Sequence, residues 1–230
     1  MTGARDPGWM KARLALLEKE KALTRLRDEI SVERRQLPRV RVDKSYVFVG
    51  PAGPATLVEL FGTRSQLIAY HFMLGPDWVE PCRSCSFWAE QFDSHRVHLG
   101  HRDVELVAIS RAPIAKIGDV KARFDWRFPW YSSLDNEFNF DFGVSFGEDQ
   151  DGLMLYNFGR QKASKGELPG LSVFARNEAG EVSHTYSTYA RGLDALNGTY
   201  QLLDLTPKGR DEASLPWPMA WLRHKDRYDG

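Results

Sequence analysis

The chain has 230 residues, enough to bury a full core without covalent staples, and its 31 basic and 31 acidic side chains cancel. That balance removes the global field that would recruit nucleic acid or an anionic membrane, so any partner must be recognised locally. No apolar run approaches the roughly 20 residues a bilayer span needs, and residues 1–11 lack the apolar core of a signal peptide, so the expectation is a cytoplasmic protein with no membrane partner.

Residues 11–38 read as a charged helix on which Ala12, Leu16, Leu23, Leu26 and Ile30 share one stripe, interrupted by Lys19 and closed before Pro38. Such a stripe packs on its own domain or forms a short dimer seam, which leaves a homodimer open. After Pro38 the apolar run 46–49 meets the turn GPAGP and resumes, predicting a hairpin that leads into a short helix. The uninterrupted run LIAYHFML, 67–74, predicts a central strand covered on both faces.

Beyond it, Phe87, Trp88, Phe92 and His95 recur at helical spacing, predicting a helix that runs to about His98 with Cys85 in its first turn. VELVAIS, 104–110, predicts the next buried strand, and Pro113 opens a second helix. The interval 133–168 is too long for a plain connection, and Phe138, Phe140, Phe142, Val144 and Phe146 alternate as in an extra strand. Acidic neighbours, Asp135, Glu137 and Asp141 among them, argue against using these aromatics to stack bases. LSVFAR, NEAG and EVSHTY predict a hairpin, followed by a helix carrying Leu193, Leu196, Tyr200 and Leu203. The C-terminal segment offers Trp217 and Trp221 to clamp it onto the body or a neighbouring subunit.

The chemistry concentrates in CRSC. Cys82 and Cys85 are the only cysteines, and in a reducing compartment this spacing points to redox chemistry or metal rather than to a structural bridge. Residues i and i+3 of a helical turn lie about 5 to 6 Å apart on one face, within bridging range of a disulfide. Cys82, at the N-terminal edge, feels the partial positive charge of free backbone N–H groups, which lowers a thiol pKa and makes it the attacking sulfur. Cys85 then resolves the mixed disulfide. Arg83 adds a positive charge that Glu80 opposes, and Trp78, in a loop stiffened by Pro76 and Pro81, gives an apolar docking surface.

A zinc site using His95, His98 or His101 is disfavoured, because the far end of a continuous helix lies roughly 15 Å away at about 1.5 Å per residue. GVSFG, 143–147, fits a hydrolase elbow with Ser145 as nucleophile, but a turn-like segment follows where a helix is needed.

With CRSC at a strand–helix junction, and with the blocks YVFVGPAGPATLVELFG, LIAYHFML, FPWYSS, NFDFGVSF and LPGLSVFAR, the chain resembles the thioredoxin-like superfamily. More narrowly, it is similar to a bacterial family described as predicted dithiol-disulfide oxidoreductases. The resemblance implies an α/β fold, a thioredoxin-like three-layer sandwich with a central mixed sheet, an N-terminal helix and an insertion before the final hairpin. It also implies Cys82 as nucleophile and Cys85 as resolving thiol, with a protein or small-molecule thiol or disulfide as partner; no bound organic cofactor or metal is expected, and the alternatives are a thiol peroxidase of peroxiredoxin-like type and a non-catalytic binding module with the CxxC as a metal clip. The superfamily places a cis-proline before the hairpin strand, for which Pro169 is the counterpart, and a proton-transfer group on the strand before the cysteines, where His71 stands, although a lone histidine in an apolar strand is more often a satisfied core residue. The expected division is an extension over 1–38, the thioredoxin-like domain over 39–206 with its insertion at 133–168, and a tail over 207–230. Peroxiredoxins share this architecture, but their P-x-x-x-T-x-x-C signature is absent, with Trp78 where Pro and Cys82 where Thr should stand.

Overall fold

A computed structural model describes residues 6–147, 155–162 and 166–229. Its contacts divide the chain into Met1–Arg39 and Val40–Gly230.

The first unit is a single helix, α1, Pro7–Gln36. Asp6 caps it by accepting from Trp9 N at 2.7 Å, Pro7 occupies the first turn, and Arg34 and Arg35 meet the negative end of the dipole. None of its residues is buried.

In the second unit, β1 (Val40–Arg41), β2 (Val47–Gly50) and β3 (Gly53–Thr56) precede β4 (Gln66–His71). Helices α2 (Arg83–Ala89) and α3 (Phe92–Gly100) lead to β5 (Val104–Ser110), α4 (Ile114–Phe124) and β6 (Trp130–Ser132). The interval that follows holds α5 (Phe138–Asp141) and four two-residue strands: β7 (Ser145–Phe146), β8 (Leu155–Tyr156), β9 (Gln161–Lys162) and β10 (Gly166–Glu167). The long hairpin β11 (Gly170–Arg176) and β12 (Val182–Tyr189) then leads to α6 (Gly198–Leu203).

Eight strands form one mixed sheet in the order β1-β12-β11-β4-β5-β6-β2-β3. β4 is parallel to β5 and antiparallel to β11, so the strand that delivers the cysteines is central. Period-two alternation divides the core. Tyr70 and Phe72 pack with Cys85, Trp88, Ile117 and Phe124 on the face carrying α2 and α4. Leu67 and Ala69 pack with Phe48, Val107, Phe138 and Phe174 on the other.

Three local expectations need correcting. The alternating phenylalanines form a short helix before a two-residue strand, rather than one strand. A separation of four serves both periods: Phe138 and Phe142 share a helical face with ring centroids 4.6 Å apart, while Phe140 lies under the Arg111 guanidinium. The helix after Cys85 is two helices, because Gln91 N turns to Trp88 O, an i−3 bond, where the ladder had been i−4. The expected helix over 193–203 is a 3₁₀ run, Ala190–Leu196, and then α6, which Asn197 caps by accepting from Tyr200 N at 3.0 Å.

The C-terminal segment clamps onto the body. Trp221 packs edge-to-face on Phe87, and Leu222 is 1% exposed. Glu212 Oε1 accepts from Tyr200 Oη, Met219 N and Trp221 Nε1 at 2.8, 3.0 and 2.7 Å.

Candidate active site

Cys82 is the N-cap residue of α2 and is partly exposed, while Cys85, one turn on, is 1% exposed. The loop before them is held from several sides. Cys82 N donates to Met73 O at 3.2 Å, and Lys116 Nζ donates to Pro76 O and Trp78 O, both at 2.8 Å. The Trp78 indole packs against Gly75, where a Cβ would come within 2.7 Å of it, so this close approach requires glycine.

The two thiols differ in state. Cys82 falls to about 6 because the Cys85 thiol donates to it, assisted by the N–H groups of Cys85 and Ser84 and the Ser84 hydroxyl, against the opposing effect of burial. Cys85 is pushed up by burial and by the Cys82 thiolate. Its sulfur nonetheless has donors in place, Met73 N at 3.4 Å and the hydroxyl of Tyr70. At neutral pH the pair is therefore a thiolate at Cys82 and a thiol at Cys85.

Two cavities flank the couple. One, about 640 Å³, reaches Tyr70, Cys85, Trp88 and Pro169, and the other, about 440 Å³, reaches Trp78, Cys82 and Arg83. Ser84 and Met219 line both.

The remaining expected site residues separate. Pro169 lines the cavity at Cys85, but no peptide bond among the described residues is cis. The trans loop is tied down by Tyr156, whose hydroxyl donates to Pro169 O and accepts from Ala190 N. Gly170 follows because a Cβ there would lie 2.8 Å from the Tyr189 ring. Trp78 and Arg83 stand beside Cys82, the latter donating to Leu222 O at 3.1 Å.

His71 does not reach the thiols. It bonds to Ser172 Oγ at 2.8 Å and stacks on Phe138, across the sheet from the cysteines, and burial lowers its pKa to about 3. The residue that alternation places under Cys85 is its neighbour Tyr70, which the sequence reading passed over although AYHF contains it. Ser145 is also no nucleophile: it is buried and donates to Glu167, and residues 148–154, where an elbow needs its helix, lie outside the described residues. Among the described residues no group of three or more His, Cys, Asp or Glu is placed to hold a metal ion, and no helix is long and apolar enough to cross a membrane.

A mixed sheet with a cysteine pair at the start of the helix following its central strand gives the chain a thioredoxin-like fold of the kind seen in peroxiredoxins. The chain belongs to the family described as bacterial protein of unknown function (DUF899), which matches residues 3–228. No curated protein matches it.

Among solved structures, it is similar to the peroxidoxin BcpB from Mycobacterium tuberculosis, with TM-score 0.50 and 13% identity over 72% of this chain and 96% of that one. A mutant peroxiredoxin Q from Xanthomonas campestris gives TM-score 0.46 and 14% identity over 68% and 90% of the two chains. The mitochondrial 2-Cys peroxiredoxin of Plasmodium falciparum gives 0.45 and 12% over 74% and 95%.

Proposed function

We propose that the protein is a thiol–disulfide oxidoreductase with Cys82 as nucleophile and Cys85 as resolving thiol. The observation that carries this reading is the geometry of the pair, a partly exposed Cys82 at the N-cap of α2 with the buried Cys85 thiol hydrogen-bonded to it one turn on, an arrangement that lowers the pKa of Cys82. The Cys82 thiolate attacks one sulfur of a disulfide, forming a mixed disulfide and expelling the other half as thiolate. That step removes the negative charge that holds Cys85 protonated. Cys85 loses its proton, is stabilised by Tyr70 and Met73 N–H, and attacks the Cys82 sulfur to release the second thiol. The protein is oxidised by two electrons and the substrate disulfide is reduced to two thiols, or the reverse with a dithiol substrate. Trapping tests this: Cys85→Ser should accumulate a mixed disulfide at Cys82 that the parent resolves, and equal accumulation in both would contradict it.

A thiol peroxidase is the second reading, favoured by how much of the M. tuberculosis peroxidoxin the fold overlays. There Cys82 would attack a peroxide oxygen, giving sulfenic acid and an alcohol or water, and Cys85 would condense with it and release water. Sulfenate trapping in Cys85→Ser after one equivalent of hydrogen peroxide separates the two.

A further inference from the structure

The groove beside Cys82 carries an unbalanced charge. Arg83 and Arg223 line it, both exposed, and both donate to one neutral acceptor, the carbonyl oxygen of Leu222, at 3.1 and 3.2 Å. Neither is ion-paired among the described residues. Of the other ionisable groups, Glu80 pairs with Arg227 at 2.8 Å and with Arg123, packed behind it and itself held by Asp226, at 2.7 Å, so that beside the two arginines only the single negative charge of the Cys82 thiolate remains. His224 lies 3.6 Å from Glu80, and burial together with Arg123 lowers its pKa, so it adds no positive charge at neutral pH. Two guanidinium forks without a carboxylate partner thus line the groove that Cys82 also lines, suited to carboxylate oxygens. Trp78 and Trp217, the latter 59% exposed, supply apolar surface. A groove of about 440 Å³ has the size of a small-molecule site rather than of a protein interface.

We propose that Arg83 and Arg223 select low-molecular-weight disulfides bearing carboxylates for exchange at Cys82. This rests on the thiol–disulfide reading above. The Cys82 thiolate attacks one sulfur of the substrate disulfide and one carboxylated thiolate leaves; Cys85 then gives its proton to solvent or to that thiolate and attacks the Cys82 sulfur, breaking the mixed disulfide and releasing the second thiolate, so two electrons pass from the protein pair, now a disulfide, to the substrate. The arginines act only on the approach and seating of the charged disulfide.

The test compares initial rates of reduced protein with three aromatic or aliphatic probes: dianionic 5,5′-dithiobis(2-nitrobenzoate), neutral 4,4′-dithiodipyridine and dicationic cystamine. Each rate is normalised to the Cys82 thiolate fraction from absorbance at 240 nm and to the same probe's rate with free cysteine. The normalised preference for the dianion should exceed that for the dication by about tenfold or more at low salt and shrink at high salt. Arg223→Gln, outside the CxxC segment, and the Arg83→Gln/Arg223→Gln double variant should lower it stepwise, each by a few fold. Equal normalised rates, or a preference that survives the double variant, would overturn the inference while leaving the oxidoreductase reading intact. Failure of every probe to react with folded protein would overturn both.

Discussion

Tyr70 and His71 are consecutive in β4 and face opposite sides of the central sheet, Tyr70 under the Cys85 sulfur and His71 on Ser172. The side chain that can assist the resolving thiol is therefore the tyrosine. Tyr70→Phe should leave alkylation of Cys82 close to the parent rate and lengthen the lifetime of a Cys82 mixed disulfide by about tenfold, the worth of one hydrogen bond of about 1.4 kcal/mol to a forming thiolate. Stopped-flow release of the second thiol reads this directly, and an unchanged lifetime would remove Tyr70 from the mechanism.

The thiolate at Cys82 has a pH signature. Its alkylation rate should rise with a midpoint near pH 6. In Cys85→Ala the midpoint should move up, because the donating thiol is the largest stabilising influence on the thiolate. The folded pKa is depressed, so the contribution to stability is fully present above the ordinary thiol value and is lost as pH falls through about 6. The reduced parent should accordingly gain stability over Cys82→Ser across that window, measurable by urea unfolding at a series of pH values.

His71 makes a separate prediction on the other face. Its folded pKa of about 3 lies below the ordinary 6.5, so the folded state binds fewer protons than the unfolded chain between those values. Stability should fall as pH drops from about 6.5 towards 3, by up to about 1.4 kcal/mol per pH unit from this group. His71→Gln should show a shallower acid slope, a difference that includes the coupling to His184, whose charge adds to the lowering of His71. Identical slopes would contradict the neutral, buried assignment.

Glu212 ties Tyr200, Met219 and Trp221 together. Replacing it with alanine should cost about 1.5 to 3 kcal/mol, expose residues 213–229 to limited proteolysis, and speed Cys82 alkylation as Met219 leaves the groove lining. Protease resistance equal to the parent would mean that the clamp is held by its other contacts, Trp221 and Leu222 packing and the Arg227–Glu80 and Arg123–Asp226 pairs.

The central strands and the final hairpin were legible from hydrophobic run length and turn residues, because burial on both faces leaves a continuous apolar signature. So was the cysteine pair, since CRSC sits where an apolar strand gives way to an amphipathic helix. His71 is a satisfied core residue, as a lone histidine in an apolar run more often is, but only what packs on each face fixes the strand parity that turns Tyr70 rather than His71 to the cysteines. Phe138 to Phe146 misled because a spacing of four fits both a strand and a helical turn. The placement of Leu222 and Arg223 beside Cys82 depends on long-range contacts, Arg83 to Leu222 O and Phe87 to Trp221, which no local pattern encodes.

The most direct test of the central claim is to equilibrate the protein with glutathione buffers of graded poise and count free thiols, with Cys82→Ser and Cys85→Ser as controls. The account predicts a reversible transition in which both thiols are lost together in the parent alone, at a potential within the about −270 to −120 mV spanned by known couples of this type. Two thiols that stay free at every poise, or that pair only after denaturation, would contradict it.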